Sequence, residues 1–225
     1  MNFLALLSGN RLPEVLVGAW LVMGLLLLFG LAAGRALARA EAPQLPDTGI
    51  TVRSVSEIIV SGLDTFTASL LGAHGARALV PFFGSLFLFI LIANLLGLVP
   101  GFEPPTSDSD LTFALAVISF VFYIYQGFKR RGVAYLRTFL GPLLVLAPLM
   151  LPLEIADNLF RPFSLGVRLA ANMTADHKLL GVFTEMTKLV VPLAFYVLGA
   201  IVCVVQALVF VTLSISYVKM AAQEH

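Results

Sequence analysis

Residues 189–218 read LVVPLAFYVLGAIVCVVQALVFVTLSISYV, thirty positions without a formal charge. A helix of that length extends about 45 Å at 1.5 Å per residue, and a bilayer's hydrocarbon core is only about 30 Å thick. Such a segment crosses a membrane with length to spare, so it is expected to tilt or to project. The composition agrees. The chain has 225 residues, 59% hydrophobic and 12% charged, with a mean hydropathy of +0.97, whereas a soluble domain carries roughly 25% charged residues. The expected fold class is an all-α polytopic membrane protein. A net charge of +1 gives no reason to expect a nucleic-acid partner.

Other long apolar runs lie at 15–34, 78–99, 111–128 and 163–180, while 138–153 is apolar but broken by Pro142, Pro148 and Pro152. The expectation is about five membrane-crossing helices with the last two long. Arg35 and Arg39 follow the first run, and Lys129, Arg130, Arg131 and Arg137 follow the third. The loop after the second holds Glu103, Asp108 and Asp110 and no basic residue. The positive-inside rule then places the N-terminus outside and the C-terminus in the cytoplasm. No cleavable signal pattern is expected at the N-terminus, the first span being its own insertion signal. Within 54–71, Val55, Ile58, Ile59, Leu63 and Phe66 approximate a helical stripe, which suggests an amphipathic helix lying on the membrane surface. With no internal repeat evident, one domain spans 1–225. Its parts are an N-terminal span (1–40), an amphipathic and linker segment (41–77), a helical hairpin (78–128) and a long helix pair (138–222).

The segment SLGVRLAANMTADHKLL, residues 164–180, places Arg168 in apolar surroundings. A guanidinium stays charged under almost any condition, and at a membrane helix's centre it costs about 3 kcal/mol on insertion scales. At 100° per residue, Glu154, Asp157, Arg161 and Asn172 all fall within about 40° of Arg168 on a straight helix. Asp176 lies about 80° away and His177 about 180°, with Pro162 able to shift the phase. Asp157 and Arg161, four residues apart, suit a structural ion pair. Arg168 has no such neighbour, and an intramembrane charge without a local partner is a functional candidate. In the last helix, serines and threonines are expected to bond back to their own backbone or to join helices. Gln206 needs a partner, either across a helix interface or in a functional site. Asn94 raises the same two alternatives. Cys203 is expected to be a small core residue, and no metal-ligating cluster or cofactor motif is apparent. Asp108 and Asp110 read as a solvated outer loop or as acids that draw protons inward.

Taken together, SLGVRLAANMTA, the downstream QALVFVTLSISYV and MAAQEH, and NLLGLVPGFEPPTSD with LTFALA resemble subunit a of the F-type ATP synthase, most closely over residues 78–225. The resemblance implies a stator for proton translocation. In that family an arginine faces a rotating ring of c subunits that each carry a carboxylate, and two offset half-channels lead to it from opposite sides. By this resemblance Arg168 is the stator charge. Asn172 and Gln206 are the polar residues near it, His177 belongs to the inlet, and Glu154, with Asp157 beside it, belongs to the cytoplasmic path. The long final helices would lean against the ring. Peripheral-stalk b subunits and lipid would be further partners in a large hetero-oligomer of a bacterial inner membrane. The chain itself would perform no phosphoryl chemistry, and GxxxxGK[ST] is absent from it.

Two positions depart from the family pattern. Many relatives carry His or Glu seven residues before the glutamine, where this chain has Gly199, and the usually small position 176 is Asp176 here. Asp176 and His177 are therefore expected to relay the inlet proton together, against the alternative of a pair between Asp176 and Lys178 or Lys188. The rival reading of the whole chain is a self-contained secondary ion transporter with Arg168 as a counter-ion site.

Overall fold

The structure, a computed structural model, describes residues 14–39, 51–72, 77–99, 102–132, 147–186 and 190–222. Among these the elements are helical: α1 (Glu14–Ala38), α2 (Val52–Leu71), α3 (Val80–Leu96), a short 3-10 turn (Pro105–Ser107), α4 (Ser109–Arg131), α5 (Ala147–Met186) and α6 (Val190–Ala222). Helices α1, α4 and α6 are long and apolar enough to cross a membrane, and α3 is a shorter apolar helix. The all-α polytopic expectation holds. Helix α5 runs for 40 residues through Pro152 and Pro162, about 60 Å at the standard rise, and absorbs the final residues of the proline-broken run. Residues 138–146 of that run lie outside the described residues.

Local chemistry sets the helix ends. Thr51 caps α2 by accepting from the Ser54 amide, and Gly72, at φ +83°, closes it. Asp108 caps α4, its side chain accepting from the Asp110 amide at 2.7 Å. Lys129, Arg130 and Arg131 occupy the last turn of α4, where cations complement the helix dipole. The acid that the sequence offers as loop or lure therefore has a structural role as an N-cap.

Buried residues recur along α6 at Cys203, Ala207, Val211, Ile215 and Val218, the 3–4 residue period of one helix face. That face meets Phe83, Leu86 and Ile90 of α3, Leu115 and Tyr123 of α4, and Leu165, Leu169 and Met173 of α5 in one cluster. Helices α5 and α6 are antiparallel. Phe183 stacks on Phe195, Asn172 meets Gln206, and Arg161 lies over the Tyr217 ring.

Polarity is arranged for lipid. Asn94, Thr106, Ser119, Asn158, Gln206 and Ser214 are buried, while large apolar side chains face outward, among them Trp20 at 71% exposure. Water would not tolerate that distribution, but hydrocarbon does, because it supplies no hydrogen bonds to polar groups. The interior groups bond one another, as in the 2.8 Å Ser119–Ser214 link between α4 and α6. Thr212, Ser214 and Ser216 bond back to carbonyls four residues earlier, as the sequence suggested.

Helix α2 differs in detail from its expected stripe. Phe66 and Leu70 pack against the core, but Ile58 is 72% exposed, and the buried side chains are Arg53 and Thr67. Arg53 is paired with Glu57 at 2.6 Å, and this pairing lets a cation occupy a buried position. Val55 and Ile58 are left facing away from the bundle.

Candidate functional site

Helix α5 carries the site in three tiers. In the middle tier Arg168 projects from the exposed side of the helix, flanked by exposed Ser164, Val167, Ala171 and Asn172. The apolar face against α4 and α6 is filled by Leu165, Leu169 and Met173, which leaves the guanidinium no way inward. Ion pairs among the described residues join Arg53 to Glu57 and Arg161 to Asp157, and Arg168 takes part in neither. One turn along, Asn172 Nδ2 donates to Gln206 Oε1 at 2.8 Å. Gln206 is buried on α6, so this bond fixes the register of the two long helices beside the arginine. The separate expectations for Asn172 and Gln206 thus meet in one contact.

The second tier begins at Asp176, eight residues beyond Arg168 and about 12 Å along the axis. Asp176 and His177 line a cavity of about 20 Å³ together with Asn94, Leu98, Gly199 and Cys203. Asp176 Oδ2 and His177 Nδ1 are buried, and neither has a hydrogen-bond partner among the described residues. Gly199 lines the same cavity from the opposite helix. A Cβ built there would stand 3.7 Å from Asp176 Oδ2 and 2.9 Å from Leu98 Cδ2. A Cβ there would make only ordinary contact with the carboxylate, its tight approach being to the flexible end of Leu98. No ion pair joins Asp176 to Lys178 among the described residues, and Lys188 lies outside them. Thr174 Oγ1 donates to the Ser107 carbonyl at 3.1 Å, holding the 3-10 turn against this end of α5.

The third tier lies the other way. Asp157 is about 16 Å and Glu154 about 21 Å from Arg168 along the axis. Asp157 pairs with Arg161 at 2.5 Å, as the spacing suggested, and Arg161 is also 5.5 Å from the Tyr217 ring centroid. The Glu154 carbonyl accepts from Asn158 Nδ2 at 2.8 Å, and Tyr123 donates its hydroxyl to Asn158 Oδ1. Sequence reasoning passed over Asn158. Its signal is an amide amid Leu, Ile and Phe, on the face opposite the exposed side chains.

Polar groups therefore gather at both ends of α5, with one exposed cation between them. Comparison with known proteins gives the family. A family model described as ATP synthase A chain matches residues 16–219, nearly the whole chain. The chain belongs to the ATP synthase A chain family. Within it, a relative named ATP synthase subunit a from Bdellovibrio bacteriovorus is 44% identical over 198 residues, covering 87% of this chain and 86% of the relative. ATP synthase subunit a 1 of Pelobacter propionicus is 37% identical over 91% of this chain and 86% of its own length. ATP synthase subunit a of Aliarcobacter butzleri is 37% identical over 100% of this chain and 97% of its own. Family membership accounts for an all-helical membrane protein.

Proposed function

We propose that the chain conducts protons through the membrane sector of an ATP synthase, with Arg168 facing the carboxylates of a rotating c-ring. The observation that carries this reading is the exposed position of Arg168 on the outer side of α5. A permanent cation set toward lipid lowers its energy when a counter-charge arrives from another subunit. Its field in turn favours the ionised form of an approaching carboxyl group, which must release its proton to pass. Lysine can lose its charge on burial, whereas arginine effectively cannot.

The tiers of α5 supply the two offset paths. Asp176 and His177 relay protons at the inlet, Glu154 and Asp157 serve the cytoplasmic exit, and the pair of Asn172 and Gln206 holds the helices in register at the arginine. The charge pattern of the loops puts the N-terminus outside and the C-terminus in the cytoplasm of a bacterial inner membrane. Peripheral-stalk b subunits complete the set of protein partners.

Two experiments test this. Extracted in mild detergent, the chain co-purifies with a small, ring-forming proteolipid; isolation as a lone, transport-competent protein would instead favour a self-contained transporter. In membranes, Asp176→Asn lowers proton-driven ATP synthesis about tenfold, short of the roughly hundredfold or more for a sole general acid–base group because His177 stays in the cavity, while subunit assembly is retained. Unchanged synthesis rates would remove Asp176 from the relay.

A further inference from the structure

The cavity beside Asp176 is also lined by a residue that the relay leaves unused. Asn94 lies in apolar α3 at 2% exposure. Its Oδ1 accepts a 2.6 Å hydrogen bond from Thr106 Oγ1, and Thr106 is fully buried in the 3-10 turn before α4. That bond occupies the carbonyl end of the amide and holds it toward the 3-10 turn. The other end, Nδ2, is buried without a partner among the described residues, in the same condition as Asp176 Oδ2 and His177 Nδ1. All three residues line the one cavity of about 20 Å³. A cavity needs about 10–15 Å³ to take a water, and a buried water makes two to four hydrogen bonds. The space and the number of unsatisfied groups both match one molecule.

We infer that this cavity is a one-water site on the ion path, that Asn94 is the donor orienting the water, and that Thr106 is a positioning residue which fixes the Asn94 amide. The inference rests on the reading of Asp176 and His177 as the inlet relay. An amide N–H donated to the water's oxygen occupies a lone pair and turns both water protons away from α3, toward the carboxylate and the imidazole. A proton arriving on this water leaves by cleavage of one O–H bond as another forms at Asp176 Oδ2, and the water is regenerated. With the amide reversed, its carbonyl would compete with Asp176 for the same proton. Thr106 supports the observed arrangement by donating to the carbonyl, which leaves Nδ2 for the water.

The test uses the complete ATP synthase in inverted membrane vesicles, with proton flux normalised to the assembled complex. Thr106→Val keeps the side-chain shape but removes the donor, and it lowers the flux about fivefold. Thr106→Ser keeps the donor and restores flux to within twofold of the parent. Asn94→Ala lowers the flux at least as far as T106V, and the Asn94→Ala/Thr106→Val double variant shows no further loss, because Thr106 acts through Asn94. A purely structural threonine would give additive losses instead. Full flux in N94A, full flux in assembled T106V, or additivity in the double variant overturns the inference. If T106V does not assemble, N94A and T106S decide it, full flux in the first or a loss in the second counting against. Asp176→Asn, measured in parallel, separates the two levels. Unchanged flux there removes the relay itself, whereas a loss in D176N beside full flux in N94A removes only the water site and its positioning residue.

Discussion

Arg168→Lys abolishes coupled ATP synthesis, lowering the proton-driven rate by on the order of a hundredfold, the scale for losing a preorganised charge at a reacting centre. The substitution keeps the formal charge and changes little else at this exposed position. Lysine nevertheless presents a compact ammonium that can deprotonate in a low-dielectric site, whereas the guanidinium stays charged and offers a planar fork of donors to a carboxylate. A stator that becomes neutral while a ring carboxyl passes no longer forces that carboxyl to release its proton. Synthesis is measured in inverted vesicles energised by respiration, and passive proton flux in the same vesicles after removal of the catalytic head. Arg168→Ala adds a second signature. With no cation between the inlet and exit tiers, passive flux rises above that of the parent even as synthesis fails. One charge crossing 100 mV releases about 2.3 kcal/mol, so each leaked proton forfeits that driving force. Full coupling in the lysine variant would contradict the assigned role.

The legibility of this molecule in its sequence follows from its solvent. In lipid a charge or amide in an apolar run requires an explanation, so Arg168, Asn172 and Gln206 were visible from spacing and surroundings alone. The structure joins the last two at 2.8 Å. The Asp157–Arg161 pair was visible because four residues make one helical turn. What the sequence concealed depends on tertiary neighbours. Nothing near Thr106 shows that its hydroxyl reaches Asn94 on another helix, and nothing near Asn158 signals Tyr123. Such contacts span the packing of α3, α4 and α5, where no periodicity reports them. The stripe of α2 was misleading in part for a related reason. Hydrophobic periodicity shows that a helix is amphipathic, but in a membrane protein both lipid and core accept the apolar face. Ile58 therefore turns outward, while the paired Arg53 is buried.

Gly199→His lowers proton-driven synthesis by between about ten- and a hundredfold, and adding Asp176→Gly restores it to within about threefold of the parent. The Cβ alone is not the obstacle. At 2.9 Å from it stands Leu98 Cδ2, the far end of a side chain that can swing aside, so Gly199→Ala stays near parental activity and serves as the control. The imidazole beyond that Cβ is different. Its ring must enter a cavity of about 20 Å³, room for roughly one water, from a backbone point where the Cβ already stands 3.7 Å from Asp176 Oδ2. Overpacking of this kind costs about 1–3 kcal/mol, and an imidazolium beside the carboxylate would also hold it ionised and so block the relay. Removing the Asp176 side chain returns the lost volume and leaves a titratable group in the same cavity, now carried by α6 instead of α5. That arrangement is the one the family resemblance gives for many relatives, with a small residue at 176 and His or Glu at 199. Contacting residues couple by about 0.5–3 kcal/mol, so recovery by the second substitution distinguishes a shared cavity from two independent defects. A G199H variant with full activity, or a double variant no better than G199H, would show that the two positions do not share the proton path.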